Sequence, residues 1–600
     1  MRILGIQASH HAGDTGVALI EDGKVKFAVN EERLTRVKLD GRFPTQSIAM
    51  TLKECGLDVE DIDHIAWAGL PVQQFFQRGL QCFAQEFPEM NLLTKFGRGI
   101  GFAKGVPLLS YRMWKVQKNL KKLGLDKIPI KYVDHHYAHA ASAFFTSGWK
   151  EEDTLVVTID ATGDFLCSRV CVVEDGNLRS IHEARDYHSP AYLYGETTEY
   201  LGFMKNRHEG KVTGLAAYGN KDPNSEKLYQ EIKDLVTVKD GSLHSPFVRR
   251  LRSVYSYGTM IKELKEGQSA LKYYGSIALK SFTYGLIPRR EFGFFKGKTR
   301  ENIAYAVQKL SEKVARDYVR YWVKKTGKKK VVLAGGFFAN VRINQAIYEL
   351  PEVDSVFIHP HMGDGGFGLG AAYYLWSQME RAHGRKPKAV QLNDVYFGPG
   401  YDEEQVQSAL KSEGVHAERI KDVEKYTAEL VAQRKIVGRM NGRMEYGPRA
   451  LGNRSILASP TDHSINDWLN KRLHRSEFMP FAPSCLVDDA GKIFDDYKDA
   501  AYAAKFMTIT FNVKKAWQNK ISAVNHVDNT ARPQVVDSEQ NPSYYKVLKE
   551  YKKLTGLPLF VNTSFNAHEE PIICSPTDAI RSWKRKNVDV LVVGKYVVGD

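Results

Sequence analysis

The sequence predicts an α/β protein built from two domains. A chain of 600 residues is too long for one hydrophobic core, so at least two domains are expected. A strand, a glycine-rich turn and a second strand occur at the start of the chain and again at residues 154–180. A polar, basic segment at residues 383–394 separates this first part from a stretch in which short strand-like runs alternate with helical segments.

The composition is that of a globular protein with reduced cysteines. Hydrophobic residues make up 43% of the chain and charged residues 26%, and no long apolar run predicts a membrane span. The N-terminal apolar stretch is short and is followed by histidines, so we expect no signal peptide and a cytoplasmic location. The 6 cysteines form no CxxC pair, which argues against a disulfide framework or a zinc knuckle. The net charge of +15 favours anionic partners, either nucleic acid or small phosphates.

The first domain is predicted to begin with a hairpin unit that is later repeated. Residues 2–7 form an apolar, strand-like run, and Asp22 and Gly23 give a hairpin signal in the strands that follow. A second hairpin tip stands at residues 174–176. Two such units are typical of a duplicated nucleotide-binding core of the actin and sugar-kinase type, because each turn offers backbone N–H groups to phosphate oxygens.

A further strand of this domain runs into Gly335 and Gly336 and then into a helix-like stretch. Such a turn lets a nucleotide or substrate lie close to the backbone, and the alternative is a tight packing turn between strand and helix. Glycines also crowd around Asp364 before an apolar helix. This carboxylate is therefore predicted to stand in a loop where it could act as a ligand.

The segment VDHHYAHAASAFF carries the clearest candidate metal site. His135 and His139 are four residues apart and share one face if the segment is helical. Asp160 and Asp364 would complete a His2Asp2 set that suits Fe(II) first, with Mn(II) and Zn(II) as alternatives. His136 stands where a zinc protease would need glutamate, so peptidase chemistry is not expected. The alternative to a metal site is a helix start with hydrogen-bonded core histidines.

The second domain concentrates arginines around glycines. Arg443, Arg449 and Arg454 lie in GRMEYGPRALGNRSILASP, where planar guanidinium groups suit phosphate or carboxylate oxygens. Later segments add further polar side chains, namely Lys471, Arg472, His474, Arg475, His526, Arg532, Asn562, Ser564 and Asn566. Together these residues predict an anion-binding site, and the alternative is a solvated surface cluster.

Taken in order, these motifs resemble the NodU/CmcH family of O-carbamoyltransferases, which modify nodulation factors, cephems, aminoglycosides and other natural products. The resemblance covers nearly the whole chain and includes NEERLTR, DHHYAHAASAF, HEGKVTGLAAYG, LAGGFFAN, GDGG, EYGPRALGNRSILASP, FMPFAP, DNTARPQ and NTSFN. It implies that residues 1–388 are similar to the Kae/TsaD-like proteins of the ASKHA fold. It also implies that residues 395–600 form a smaller α/β domain similar to YrdC.

The resemblance further implies a reaction. The second domain would form carbamoyl adenylate from carbamoyl phosphate and ATP, with Mg(II) accompanying the ATP. The first domain would then transfer the carbamoyl group to a hydroxyl of a small molecule. The arginine-rich segments suit the anionic substrates of the first step, and a divalent metal in the first domain would anchor the phosphate of the adenylate.

In the first domain, the family motifs assign two catalytic residues. By its position, His11 is the base that takes the proton of the acceptor hydroxyl, with His10 as the alternative because the loop carries both histidines. Lys38 would stabilise developing negative charge. Outside this motif, Lys38 would be interpreted as a solvent-exposed lysine at a helix end.

In the second domain, the motifs assign ligands for ATP and carbamoyl phosphate. These residues are Arg443, Arg449, Arg532, Asn562 and Ser564. The stretch before FMPFAP departs from the family pattern and leaves Lys471 or His474 as the phosphate ligand. We assign Lys471, because its charge is permanent.

Three other functions compete with carbamoyl transfer. A tRNA-modifying factor would use relatives of both domains, but the sequence has no added RNA-binding module and no aromatic-rich basic stretch, so we expect no nucleic-acid partner. If the protein were a sugar or acid kinase, the second domain would have no function. A metal-dependent binding protein would bind metal but show no turnover of ATP in the presence of carbamoyl phosphate. A sugar, a polyketide, an alkaloid and a cephem are all candidate acceptors, and a homodimer is expected only from family habit.

Overall fold

The fold is α/β, as the sequence predicts, in the part of the chain that the computed structural model describes. That part comprises residues 1–8, 14–86, 110–111, 113–251, 291–473, 478 and 480–599. Its strands form three large sheets and two small two-stranded sheets. Among its helices, none combines the length and the apolar character needed to cross a membrane.

The first sheet has five strands in the order β3-β2-β1-β4-β5. Its strands are β1 (Arg2–Gln7), β2 (Gly16–Glu21), β3 (Lys24–Asn30), β4 (His64–Ala68) and β5 (Ile130–Val133). Strands β1 to β3 are antiparallel neighbours, whereas β4 runs parallel to both β1 and β5. The hairpin predicted at Asp22 and Gly23 joins β2 to β3.

The second large sheet repeats this arrangement. Its strands are β6 (Thr154–Gly163), β7 (Leu166–Glu174), β8 (Asn177–Arg185), β11 (Lys330–Ala334) and β12 (Ser355–Ile358), and the small hairpin β9 (Thr237–Lys239) and β10 (Ser242–His244) comes between them in sequence. The order β8-β7-β6-β11-β12 matches that of the first sheet, with the same antiparallel and parallel pairings. The duplication predicted from the two hairpin units is therefore present in the sheets themselves.

Helices connect and cover these two sheets. They are α1 (Glu31–Thr35), α2 (Thr45–Cys55), α3 (Val72–Glu86), α4 (His135–Phe145), α5 (Pro190–Tyr200), α6 (Glu209–Ala216), α7 (Pro223–Ile232), α8 (Arg300–Thr326), α9 (Val341–Tyr348) and α10 (Phe367–Ala382). Helix α4 follows the first sheet in the chain but packs on β6 and β11 of the second. Helix α10 follows the second sheet but packs on β1, β2 and β4 of the first. The two helices also contact each other, so they form a shared layer between the sheets.

The third large sheet lies beyond the segment 383–394. Its order is β13-β22-β21-β14-β15-β20-β16-β19, and β17 and β18 form a separate pair. The strands are β13 (Glu418–Arg419), β14 (Val437–Met440), β15 (Arg454–Ala458), β16 (Ala482–Leu486), β17 (Phe511–Asn512), β18 (Thr530–Ala531), β19 (Gln534–Val536), β20 (Leu559–Ser564), β21 (Val590–Val593) and β22 (Tyr596–Val598). This sheet is mixed, because β14 and β21 are parallel whereas β15 is antiparallel to β14 and β20.

Helices accompany the third sheet along the second part of the chain. They are α11 (Glu403–Ser412), α12 (Val423–Ala432), α13 (Ser464–Arg472), α14 (Val487–Ile493), α15 (Ala501–Ala504), α16 (Lys515–Gln518), α17 (Pro542–Thr555) and α18 (Pro576–Lys584). Apolar residues of α12 and α17, such as Val431 and Leu548, share a buried cluster with sheet residues such as Val437 and Phe560. This cluster fixes the two helices on the sheet.

One predicted strand is wrong over most of its length. One of the short strand-like runs that follow the segment 383–394 is FMTITF at residues 506–511, but only Phe511 of that run lies in a strand. The run is buried, and two of its residues form hydrogen bonds with the helix α9. Asn344 donates to the Thr508 carbonyl at 2.7 Å, and the Thr510 hydroxyl donates to the Val341 carbonyl at 3.2 Å. Hydrogen bonds to the first part of the chain thus take the place of strand pairing in this run.

The segment 383–394 contains neither helix nor strand, as its composition predicts. It is nevertheless held at defined points. The Val390 N–H donates to the Phe145 carbonyl at 2.9 Å, and the Leu392 N–H donates to the Tyr502 hydroxyl at 2.9 Å. The segment therefore packs against both parts of the chain, and the domain limits 388 and 395 stay predictions.

The contact between α4 and α10 leads to a prediction about stability. A Cβ atom on Gly370 would lie 1.9 Å from the Ala138 carbonyl oxygen, so Gly370→Ala must push the two helices apart. Overpacking of this kind costs about 2–3 kcal/mol. We expect the apparent melting temperature to fall by on the order of 5 °C in calorimetry. Gly293→Ala is the control, because no atom of the described residues lies within 4 Å of its added Cβ. Equal melting temperatures for the two variants would contradict the prediction.

Candidate active site and metal centre

Helix α4 begins at His135 and carries both predicted histidine ligands. Asp134 caps the helix by accepting the Tyr137 N–H at 3.1 Å. Arg169 donates to the same carboxylate at 2.9 Å. Burial opposes ionisation of Asp134, but the nearby Arg169 and Arg78 hold its pKa well below the ordinary value. The cap is therefore charged, and it fixes the first turn of the helix that presents His135 and His139.

Four side chains converge at the end of β6. Asp160 belongs to β6, and Asp364 lies in the turn between β12 and α10. His139 Nε2 is 3.1 Å from Asp160 Oδ2 and 3.7 Å from Asp364 Oδ1. His135 Nε2 is 3.9 Å from the same two oxygens. One ligand atom from each of the four residues lies within 4.8 Å of the others, so the structure brings the predicted set together.

The donor set fits a divalent cation. His135 Nε2 is buried and has no hydrogen-bond partner among the residues that the structure describes, which is costly for an imidazole nitrogen unless another group satisfies it. Burial lowers the pKa of His135, but the carboxylates of Asp160 and Asp364 outweigh this effect and raise the pKa to about 9. The two carboxylates thus leave an excess of negative charge beside the imidazoles. A mixed nitrogen and oxygen set of this kind suits Fe(II), Mn(II) or Zn(II).

His136 is the third histidine of the motif and has a different role. It is fully buried, and its Nδ1 lies 2.8 Å from the Thr158 hydroxyl. Burial lowers the pKa of His136 well below the ordinary value, so the ring is neutral. It does not belong to the four-residue cluster.

The predicted glycine pair stands directly against the Asp160 ligand. Gly335 has a φ of 109°, and a Cβ atom there would lie 2.1 Å from the Ile159 carbonyl oxygen. The Gly336 N–H donates to Asp160 Oδ2 at 2.9 Å. The turn is therefore both a tight packing turn and a second support for the Asp160 carboxylate, and its role as a nucleotide ligand stays a prediction.

Lys38 lies near an additional buried carboxyl group that the sequence reasoning did not assign. The Lys38 ammonium is 3.4 Å from Glu32, and burial lowers its pKa although Glu32 opposes the shift. Asp14 accepts a hydrogen bond from Asn30 at 2.9 Å. Burial, reinforced by Glu32, raises the pKa of Asp14 to about 7. The sequence signal for this residue is its place at the end of the loop that contains His11. Both His10 and His11 lie outside the described residues.

A buried carboxylate shapes the arginine-rich loop of the second part. Glu445 Oε1 accepts the N–H groups of Leu451 at 2.8 Å, Asn453 at 2.8 Å and Arg454 at 3.1 Å. Hydrogen bonds to a charged acceptor contribute roughly 1.5–3 kcal/mol each. The three bonds therefore close residues 445–454 into one compact loop. The sequence reasoning missed Glu445, because its partners are backbone groups that no motif identifies.

Two of the three clustered arginines donate hydrogen bonds to backbone carbonyls and so stabilise the fold. Arg454 is completely buried and donates to backbone carbonyls, including those of Cys574 at 3.2 Å and Asn441 at 3.0 Å. Arg443 donates to the carbonyls of Phe397 at 2.6 Å and Lys26 at 3.0 Å, and it joins the two parts of the chain. Its assignment as an ATP ligand stays a prediction. Arg449 is half-buried in the same loop.

A buried polar network brings three predicted motifs together. Asn562 donates to the Ala450 carbonyl at 3.2 Å, to the Ser484 hydroxyl at 3.0 Å and to Gln534 Oε1 at 2.9 Å. Gln534 in turn donates to the Leu451 carbonyl at 2.8 Å. Each predicted ligand Arg449, Arg532 and Ser564 stands one or two residues from a member of this network. The three positions therefore lie beside one buried network that Asn562 supports, and their roles as ligands stay predictions.

The predicted lysine is placed differently. Lys471 is exposed near the end of α13. His474 and Arg475 lie outside the described residues. The assignment of Lys471 as a phosphate ligand therefore stays a prediction.

The arginine-rich loop contacts the metal-site loop directly. The Tyr446 hydroxyl donates to the Gly365 carbonyl at 3.0 Å, next to Asp364. Arg33 from α1 donates to the Gly447 carbonyl at 2.9 Å, and the His361 ring packs edge-on against Tyr446 with centroids 4.8 Å apart. The two candidate sites thus share one junction.

Comparisons with known proteins agree with this two-part organisation. Residues 2–373 match the family description "Carbamoyltransferase N-terminus", and residues 428–599 match "Carbamoyltransferase C-terminus". The chain is similar to nodulation protein NolNO of Sinorhizobium fredii, with 31% identity over 98% of this chain and 78% of that protein. It is also similar to nodulation protein U of Rhizobium fredii, with 37% identity over 94% of this chain and 90% of that protein. The chain also shares 33% identity with nodulation protein NolO of Bradyrhizobium diazoefficiens, over 78% of each chain.

The two matched regions lie on either side of the segment 383–394. Together they include the His135 cluster and the arginine-rich loop. The alignments with NolNO and nodulation protein U cover most of this chain and most of each relative. The chain therefore belongs to the carbamoyltransferase family and is a carbamoyltransferase enzyme.

Proposed function

We propose that the protein is an O-carbamoyltransferase that uses ATP and carbamoyl phosphate and acts on a hydroxyl of a small-molecule natural product. The observation that carries this proposal is the contact of the arginine-rich loop with the Asp364 loop, through Tyr446 and Gly365. A site for anionic substrates and a candidate metal centre adjoin there. Two chemical steps could follow one another across such a junction.

The first step would take place in the second domain, residues 395–600. Carbamoyl phosphate and water would give carbamate and phosphate, and carbamate would attack the α-phosphorus of ATP to give carbamoyl adenylate and pyrophosphate. Arg449 and Arg532 would neutralise the phosphate oxygens, and Ser564 would donate a hydrogen bond. Asn562, Ser484 and Gln534 would keep these side chains in place through their buried network.

The second step would take place in the first domain, residues 1–388. The acceptor hydroxyl would lose its proton to His11 and attack the carbamoyl carbon, and AMP would leave. Lys38 would stabilise the negative charge that develops on the oxygens. A divalent cation held by His135, His139, Asp160 and Asp364 would supply positive charge for the phosphate of the adenylate. Gly336 would help to orient the Asp160 carboxylate through its N–H.

Pyrophosphate release tests the first step. The wild-type protein should release pyrophosphate from ATP only when carbamoyl phosphate is present. Arg449→Ala should lower this rate by about 100-fold or more, because loss of a group that stabilises transition-state charge has an effect of this order. Arg179→Ala is the control, since Arg179 is exposed and pairs with Glu174 far from the loop in sequence. Release without carbamoyl phosphate, or binding of tRNA instead of turnover, would return the kinase and tRNA functions to consideration.

Metal content tests the four-residue cluster. Protein purified without oxygen should bind about one Fe(II) per chain. His139→Ala and Asp364→Asn should weaken the binding by more than the roughly 10–100-fold that loss of an outer-shell partner costs. Metal analysis and titration with Fe(II) or Zn(II) measure this. His383→Gln, at an exposed position, should bind metal as the wild type does. Unchanged binding in both ligand variants would rule out this site.

Lys38→Met separates the two steps. The methionine keeps the length and apolar contacts of the lysine stem but removes its charge. We expect carbamoylation of a panel of hydroxylated acceptors to fall by roughly 100-fold, while pyrophosphate release stays within about twofold of the wild type. Labelled carbamoyl phosphate measures both quantities in the same sample. A parallel fall in both would place Lys38 in the first step instead of the second.

A further inference from the structure

A four-residue cluster outside both candidate sites joins the two domains. Arg207 and His208 precede α6 in the first domain, and His568 and Glu569 stand in the turn after β20 in the second. Glu569 Oε2 is 2.6 Å from Arg207 Nη2. Glu569 Oε1 is 3.0 Å from His208 Nε2 and 3.4 Å from His568 Nε2. One carboxylate thus faces three groups that can donate to it.

The backbone at Glu569 shows that this position has a special geometry. Its φ is +62°, in the left-handed region that glycine adopts without penalty and that other residues rarely adopt. Asn566 closes the turn by donating to the carbonyls of Ala567 at 3.0 Å and Glu570 at 2.8 Å. A strained non-glycine residue persists only where its side chain or surroundings compensate. Here the compensation is the set of contacts that the carboxylate makes across the domain boundary.

The contact is a hydrogen-bonded ion pair and not a metal site. The ligand atoms of His208, His568 and Glu569 lie within 4.8 Å of one another, which would suit a cation. However, the Met204 N–H donates to His208 Nδ1 at 3.3 Å, so the proton of the neutral ring is on Nε2. Binding of a metal ion at Nε2 would require the proton on Nδ1, where the Met204 N–H already donates. The Arg207 guanidinium beside Glu569 also repels a second cation.

The first-domain side of the cluster leads toward the metal site. His208 directly precedes α6, and Thr213 on that helix lies 2.9 Å from the Tyr194 hydroxyl. Tyr194 donates to Gln308 Oε1 at 2.8 Å, and Asn340 donates to the same oxygen at 2.7 Å. Asn340 ends the short helical turn that begins at Gly336, whose N–H donates to Asp160. A continuous set of contacts therefore runs from the cluster to a candidate metal ligand.

The second-domain side of the cluster leads toward the anion site. The turn that holds Glu569 follows directly on β20, which contains Asn562 and Ser564. The His568 N–H donates to the Leu473 carbonyl at 2.8 Å, two residues after Lys471. The carboxylate is thus attached to the strand that supports the predicted carbamoyl-phosphate ligands.

We propose that Glu569 is a positioning residue that holds the two domains together, so that carbamoyl adenylate formed in the second domain reaches the first domain instead of water. This inference rests on the proposed two-step function. When the contact is lost, the adenylate reacts with water to give carbamate and AMP, and the carbamoyl group is wasted. Pyrophosphate formation precedes that loss and does not need the contact.

The test uses Glu569→Gly and Glu569→Gln in the full-length protein. Glycine removes the carboxylate and relieves the backbone strain, so the fold should be kept, whereas glutamine keeps the shape without the charge. Each variant is given ATP and carbamoyl-[14C] phosphate without an acceptor. Pyrophosphate is measured, and the label that stays with the protein after rapid gel filtration is counted. Glu174→Gln is the control, because it breaks the ion pair with Arg179 inside one hairpin of the first domain.

We expect the ratio of retained label to pyrophosphate to fall roughly threefold to tenfold in both Glu569 variants, a range typical of coupling between sites. The rate of pyrophosphate release should stay within about twofold of the wild type. Arg207→Ala should act in the same way, and the double variant with Glu569→Gly should be no worse than either single change, because both remove one contact.

Three results would overturn the inference. The first is an unchanged ratio in the Glu569 variants, and the second is an equal fall in retained label and pyrophosphate, which would indicate only general destabilisation. The third is tight Zn(II) binding by the wild type that disappears in Glu569→Gly, since the cluster would then be a metal site. If the wild type releases no pyrophosphate in response to carbamoyl phosphate, the proposed function itself fails, and the inference fails with it.

Discussion

The close contact between α4 and α10 is the constraint on which the rest of the structure depends. Each helix packs on the sheet that it does not follow in the chain, so the two halves of the first domain are interlocked. Glycine makes this possible, because any side chain at Gly370 would collide with the backbone of α4. The same contact brings the start of α4, the end of β6 and the turn before α10 to one place. The four candidate metal ligands converge for this reason.

Much of the candidate metal centre could be predicted from the sequence. The spacing of His135 and His139 fixes a shared face once the segment is helical, and α4 confirms the helix. Asp160 lies in the last part of β6, and Asp364 stands among glycines in the turn after β12. What the sequence could not provide was Asp14, whose unusual pKa depends on burial beside Glu32. That environment is created by side chains from separate segments.

The second domain was harder to predict, because its charged residues serve the fold as well as the substrates. Three arginines in one motif suggested three anion ligands, yet Arg454 is buried among backbone carbonyls and Arg443 joins the domains. Burial of a charged group requires such partners. The run at residues 506–511 has the composition of a strand, but its partners belong to α9 in the other domain. The composition of a short segment does not reveal long-range partners of this kind.

The contact of Tyr446 with Gly365 has a consequence for how this family can be recombined. The loop that organises the anion site also forms part of the surface on which the Asp364 turn rests. A chimera that joins the first domain of this chain to the second domain of a relative would keep this contact only if the relative has a tyrosine at the position of Tyr446, because the acceptor is a backbone carbonyl. Position 446 therefore belongs to the boundary that such a chimera has to preserve, in addition to the segment between the domains.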